Sequence, residues 1–360
     1  MTQTDRNPTN HHSHTHPRSN IHIPLTTFLG MSTAYKSDDD FVGDTTRPKN
    51  KQTVRVYFTN LDGINPYNNY ENFHPTLDYM NNIEADIMCF TEHNLSTDQP
   101  KIRYELQNTI KRHIPSSRTI LSNNDLKFPS HFKPGGSMNI ITKSIHGRIT
   151  QHGTDYLGRW SYVRLATKQQ SMIYIITAYK PCKNSINKAG PMTVFRQQWT
   201  LLRRQGCIDP KPREQFDTDL TSFLTSIQQQ QHRIVLIGDF NERKEKSKLF
   251  QTLYNMGLRD MICDRHQQLP AFRTCLKGKN IIDYSMCSIS LLPHISLSTY
   301  EPFYLGIQSD HRGIVIDFDN KGLFGPAEHL STPTQRCIKS GNDQQQQQFL
   351  QHLTEYWKKI

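Results

Sequence analysis

A chain of 360 residues and 41.9 kDa has room for one large domain or two ordinary ones, and it carries a formal charge of +11 with a pI near 9.2. That basic balance points to an anionic polymer as partner, because lysine and arginine gain affinity by releasing counterions from phosphates, and nucleic acid fits best. The seven cysteines, an odd number without a C-x-x-C pair, exclude a disulfide framework or a zinc ribbon, and no apolar stretch approaches the length that spans a bilayer.

Hydrophobic residues at 35% and a mean hydropathy of −0.69 are low for a compact enzyme, so part of the length is expected outside the core. Residues 1–50 fit that expectation as a disordered or weakly ordered polar tail. The tail holds His11, His12, His14 and His16 and the acidic Asp38-Asp39-Asp40, with enough apolar character at Ile21 to Tyr35 for a short docked segment. It has no hydrophobic signal core, so the expected location is intracellular. Cys89 and Cys287 lie inside apolar runs and are expected to be reduced core residues.

The expected domain spans residues 51–320. Val54 to Phe58 forms a strand that runs into Asn60-Leu-Asp-Gly63, and Phe73 to Ile83 has helical spacing. Asp86 to Phe90 is a second strand, delivering Glu92 and His93. Tyr104 to His113 can be helical. Gly135-Gly136 precedes the apolar Met138 to Ile141, and a hairpin accounts for the two glycines better than a phosphate cradle.

Trp160 to Leu165 and Ser171 to Ala178 look like adjacent strands, the second emerging at Tyr179-Lys-Pro181. Phe195 to Arg204, Phe216 to Gln228 and Lys248 to Met256 are predicted helices, with Gly257 capping the last. Between them His232 to Ile237 ends abruptly in Gly238-Asp-Phe-Asn241. In extended geometry Asp239 and Asn241 point to the same side, placing a carboxylate and a carboxamide at a strand's end; the plain alternative is an Asx turn. Ile281 to Ser288 and the stretch after His311 supply the last predicted strands. Residues 321–360 form a polar, Gln-rich extension, in which Gln344 to Gln348 is either flexible or part of a helix.

Irregular alternation of strands and helices suits an α/β (α+β) fold, a two-layer β-sandwich flanked by helices. Neither Gly-x-Gly-x-x-Gly nor a Walker sequence occurs, so no nucleotide cofactor is supported.

Several strand ends carry carboxylates, amides or imidazoles, and such ends can converge only if their strands lie together. Asn60-x-Asp62, Glu92, Tyr179-x-Pro181, Gly238-Asp-Phe-Asn241, Ile282-Asp-Tyr284 and Ser309-Asp-His311 occur in the order that resembles the endonuclease/exonuclease/phosphatase superfamily, the DNase I-like fold, over Val54 to Phe318. The look is nearest to abasic-site endonucleases and the endonuclease domains of non-LTR retrotransposons. The resemblance implies a Mg²⁺-dependent DNA endonuclease (Mn²⁺ substituting), with Glu92, Asp62 and Asp310 as metal ligands. Asp239, Asn241, His311, Asp283, Tyr179 and Asn60 are its implied catalytic group, Asp239 toward water, Asn241 and His311 toward the phosphate, and Asp283 fixing the His311 tautomer.

For Tyr179 a structural strand-end role is the alternative. Lys180, Lys183, Arg273 and Lys277 are expected to meet the backbone of duplex DNA, which for a retroelement enzyme means the nucleus. The alternatives are a small-molecule phosphatase or phosphodiesterase of the same fold, or a catalytically silent remnant; oligomeric state is left open.

Overall fold

A computed structural model of the chain describes residues 37–127, 130–168, 170–190, 192–267, 269–325 and 343–357. In chain order its strands are β1 (Val42–Gly43), β2 (Thr53–Asn60), β3 (Ile87–Thr91), β4 (Arg118–Ser122), β5 (Ser137–Ile141), β6 (Ile149–Thr154) and β7 (Trp160–Leu165). They continue with β8 (Ile173–Tyr179), β9 (Arg233–Asp239), β10 (Leu258–Asp260), β11 (Asp283–Ser288), β12 (Ile295–Tyr300) and β13 (Ile314–Asp319). The helices are α1 (His74–Asn82), α2 (Pro100–His113), α3 (Lys143–His146), α4 (Val194–Arg204), α5 (Pro212–Gln229), α6 (Lys248–Asn255), α7 (Asn320–Phe324) and α8 (Asp343–Trp357).

Seven strands make one sheet in the order β1-β12-β13-β2-β3-β5-β4, and six make the other, β10-β11-β9-β8-β7-β6. The unbroken apolar run of β9 explains how the layers stack. Val235 and Ile237 face the other sheet and join Phe58, Cys89, Ile175 and Ile316 in the central core. Ile234 and Leu236 face outward, onto Phe216, Leu220 and Leu224 of α5 and Leu249 and Leu253 of α6. A strand buried on both faces has no polar side to show, so its sequence reads as continuous rather than alternating. The first sheet is covered likewise by Leu77 and Met80 of α1 and Leu106 and Ile110 of α2, packed on Met88, Phe90 and Ile140. No described helix is long and apolar enough to cross a membrane.

The expected two-layer sandwich flanked by helices is what forms. Five strands go beyond the sequence reading: β1, β4, β6, β10 and β12. β12 is Ile-Ser-Leu-Ser-Thr-Tyr, whose Ser298 and Thr299 are fully buried, so its polar residues hid it. Cys89 and Cys287 are buried free thiols, as expected.

The boundary near residue 51 moves. Val42 and Gly43 pair with Tyr300 and Thr299, and Ser37 and Asp40 offer carbonyls to the buried Arg312 guanidinium at 2.9 and 2.8 Å, so residues 37–50 belong to the folded unit rather than to a tail. The expected segment Ile21 to Tyr35 and the histidine cluster lie outside the described residues. At the other end, Gln344 to Gln348 fall within α8.

β12 leads into a buried acid. Glu301 is 1% exposed and accepts hydrogen bonds from the Tyr79 hydroxyl at 2.7 Å and the Thr46 hydroxyl at 3.3 Å. Burial pushes its carboxyl up from 4.5 to about 7, against the pull of those hydroxyls. The folded chain therefore keeps this proton at pH values where the unfolded chain has lost it. The associated stabilisation is complete below the unfolded value and is lost as pH rises toward the folded one, about 3 kcal/mol at full effect. Glu301→Gln should therefore gain stability relative to the native chain as pH is raised from 5 to 8. Urea midpoints that track in parallel across that range would rule this out.

Candidate active site

The site forms where the two parallel pairs, β2 with β3 and β8 with β9, present their carboxyl ends. Register does the placing. Asp239, the last residue of β9, stands opposite Tyr179 on one neighbour and opposite Asp283, the first residue of β11, on the other. From the other sheet Asn60, the last residue of β2, donates through Nδ2 to Asp239 Oδ2 at 3.0 Å, closing the seam between the layers. Asp239 is 1% exposed, and burial, followed by the nearby Asp283 charge, holds its carboxyl well above the usual range. A carboxylate so placed is poised to take up a proton.

The chain turns sharply just beyond these strand ends. Asp62, Glu92 and Asn241 all have left-handed backbones, with φ of 49°, 51° and 49°. Left-handed φ is uncommon for side-chain-bearing residues and clusters at functional sites, at a cost on the order of 1–3 kcal/mol each. Asp239 and Asn241 thus meet by an Asx turn, the Asn241 N–H donating to Asp239 Oδ1 at 2.9 Å; this is the alternative of the sequence reading, not its extended-strand arrangement. The Asn241 carboxamide nitrogen donates to the Lys180 carbonyl at 2.8 Å and to Asp239 Oδ2 at 3.3 Å, so here it positions Asp239.

Glu92, partly buried just past β3, lies close to the Tyr179 hydroxyl and the Asn60 side chain. Burial raises its carboxyl, and burial followed by the Glu92 charge raises the Tyr179 hydroxyl well above its ordinary value. His93 points the other way. Its ring lies in the core at hydrogen-bond distance from the Ser122 carbonyl, 3.0 Å, and burial lowers its pKa to about 4. Gly136 must be glycine: a Cβ there would sit 2.3 Å from this ring, and its φ is +87°.

Ser309-Asp310-His311 closes the cluster. The Ser309 hydroxyl donates to the Asn60 carbonyl at 2.5 Å and accepts the His311 N–H at 3.0 Å, tying this loop to the end of β2. His311 Nδ1 lies 2.9 Å from Asp283 Oδ2. Burial alone would lower the imidazole's pKa, but the Asp283 carboxylate outweighs it and holds the imidazolium well above its ordinary range. Asp310 turns to the Lys277 ammonium at 2.8 Å, which also reaches Asp62 at 3.3 Å.

Among the described residues, the groups of three or more potential ligands drawn within 4.8 Å are Asp239–Asp283–His311 and Cys275–Asp310–His311, so Glu92 and Asp62 stand in neither. The Lys277 ammonium nevertheless bridges two of the three carboxylates assigned to the metal, where their charge calls for a cation. Glu92, Asp62 and Asp310 offer only oxygen, a donor set suited to a hard divalent ion.

Of the basic residues expected at DNA, Lys183 is exposed and Lys277 is 73% exposed. Arg273 is engaged by Asp38 and by the Leu276 carbonyl. Lys180 does not fit that role: its side chain is 1% exposed, held by Asp217 at 2.6 Å and Glu242 at 2.8 Å. Arg213 of α5, which sequence reasoning passed over, binds the same Glu242 at 2.8 Å and the Asn241 carbonyl at 3.3 Å, so the two cations brace the turn from below. The acid at Glu242, directly after the Asp-Phe-Asn, was the available signal.

No protein-family model matches the chain, and no curated protein matches it in sequence. Solved structures do. The catalytic domain of Xenopus laevis APE2 superposes with a TM-score of 0.54 at 15% identity, covering 74% of this chain and 92% of that one. The AP endonuclease LMAP from Leishmania major superposes at 0.56 and 14% identity, covering 82% of this chain and 99% of that one. The chain has the DNase I-like fold. At such identity the likeness extends to architecture, and the chemistry of this DNase I-like chain rests on its own side chains.

Proposed function

We propose that the chain is a Mg²⁺-dependent phosphodiester hydrolase that cuts duplex DNA, an endonuclease of the retroelement type that its motifs resemble. The observation that carries this reading is the seam itself: a buried Asp239 held by Asn60 and Asn241, next to the His311 ring held by Asp283. Hydrolysis needs a proton acceptor for the attacking water and a donor for the phosphate's charge. Asp239 takes the water's proton, with Asn60 and Asn241 fixing its orientation. His311 donates to a non-bridging oxygen, and the Tyr179 hydroxyl orients Glu92. A Mg²⁺ ion held by Glu92, Asp62 and Asp310, with Mn²⁺ able to replace it, would supply further neutralisation of the phosphate.

The DNA reading is supported by surface charge beside the site. An open groove of about 610 Å³ that reaches Asn241 is lined by Lys183, Lys211, Arg243 and Lys246. Contacts of this kind position a backbone without reading bases. A retroelement role further requires access to chromosomal DNA, hence the nucleus.

The testing experiment incubates the purified chain with supercoiled plasmid. Nicking is expected with Mg²⁺ and not with EDTA, and a Lys183→Ala/Lys246→Ala variant should bind duplex DNA more weakly with a shallower salt dependence. Equal cutting in EDTA, or affinity for duplex DNA that ignores salt, would refute the proposal.

A further inference from the structure

We propose that Cys275, Asp310 and His311 form a second cation site, one that takes a thiophilic divalent ion of the Zn²⁺ class and shuts the hydrolase when filled. The shutting rests on the function proposed above; the binding does not.

Backbone pairing fixes the three ligands. Cys275 and His311 face each other across an isolated antiparallel bridge, with the Leu276 N–H donating to the Asp310 carbonyl at 2.8 Å and the Arg312 N–H to the Thr274 carbonyl at 2.9 Å. Cys275 Sγ consequently lies 3.8 Å from Asp310 Oδ2, and His311 Nε2 lies 3.8 Å from Asp310 Oδ1, with all three ligand atoms inside 4.8 Å. A tetrahedral zinc ion, about 2.3 Å from sulfur and 2.0 Å from nitrogen or oxygen, sets its ligand atoms about 3.5 Å apart. Small side-chain rotations would close the set, leaving the fourth position for water.

A second observation points the same way. Asp283 holds His311 Nδ1 and so leaves Nε2 as the ring's available ligand atom, the carboxylate–histidine–metal arrangement that orients imidazole ligands. Asp283 is fully buried and its Oδ1 has no hydrogen-bond partner, so the ring is backed by negative charge that a divalent ion would offset. The Lys277 ammonium now on Asp310 is on a side chain 73% exposed and can swing out to solvent.

The site separates metals by donor chemistry. Thiolate and imidazole select zinc-like ions over Mg²⁺, whereas the oxygens of Glu92 and Asp62 do the reverse. On binding, the Cys275 thiol and His311 Nε2 each release a proton to solvent. Nε2 can then no longer donate to a phosphate, and Asp310 is drawn away from Asp62.

The test uses the full chain, with Cd²⁺ as optical probe and Zn²⁺ as calorimetric ligand, both in excess Mg²⁺. Cd²⁺ should give a thiolate-to-metal ultraviolet band at one equivalent, a signal that the N-terminal histidines cannot produce. Cys275→Ser and Cys275→Ala should both lose the band and raise the Zn²⁺ concentration for half-inhibition of plasmid nicking by at least about tenfold. In the native chain, Zn²⁺ should protect Cys275 from alkylation, as read by peptide mass, which requires no variant. A band that survives both substitutions, or a Cys275 unprotected by Zn²⁺, would overturn the site. A band lost without any change in zinc inhibition would overturn the control of activity. If no protein nicks DNA, the band and the protection still decide whether the metal binds, so the two readings fail separately.

Discussion

Asp239→Asn is expected to lower DNA cleavage by about 10²-fold or more while raising thermal stability. The two effects share a cause. Asp239 is buried beside Asp283 and Glu92, and that burial and those charges push its carboxyl well above the usual range. A neutral amide relieves the crowding but cannot take a proton from water, so the substitution exchanges function for stability. His311→Ala should cost a similar factor, because it removes the proposed phosphate donor and leaves the buried Asp283 without its imidazole partner. The double variant should lose much less than the product of the single losses, since both residues serve one step. Single-turnover nicking with duplex affinity measured in parallel checks this, and near-normal nicking by Asp239→Asn would sink the assignment.

Arg55→Met is expected to cost about 3–5 kcal/mol of folding stability, the scale of a buried pair that loses one member. Arg55 is 1% exposed on β2. Its guanidinium donates twice to Asp317 of β13, both at 2.7 Å, and also to the Ile83 carbonyl at 2.7 Å and the Arg47 carbonyl at 2.9 Å. Without it, Asp317, itself 3% exposed, keeps a charge with no counterpart. Combining Arg55→Met with Asp317→Leu should recover much of the loss, because no charge then stays buried. Urea unfolding of the three proteins decides the matter, and a double variant no more stable than Arg55→Met would contradict the account.

The site was legible wherever chemistry and chain position coincide. Asp239, Asp283 and Tyr179 each end or begin an apolar strand, and register brings them side by side. What stayed hidden depends on partners distant in sequence. Lys180 follows a strand just as a DNA-binding lysine would, and only the arrival of Asp217 and Glu242 makes it a buried brace. Cys275 is one unremarkable cysteine until a backbone bridge sets it against His311. Residues 37–50 lack a pattern because their hold on the domain comes largely from main-chain carbonyls given to Arg312. Edge strands hid for a related reason. β4 buries only Ile120 and Ser122, so its alternation is too faint to stand out.

The strand order also sets a schedule for synthesis. β2 lies between β3, its near neighbour in sequence, and β13, the last of the described strands to be made. While the polypeptide is still growing, one edge of β2 stays open, and Ser309, Asp310 and His311 are not yet on hand to meet Asn60. The first sheet can close only after Asp319 has left the ribosomal tunnel. Truncated or stalled products lacking that strand would therefore lack the assembled candidate site.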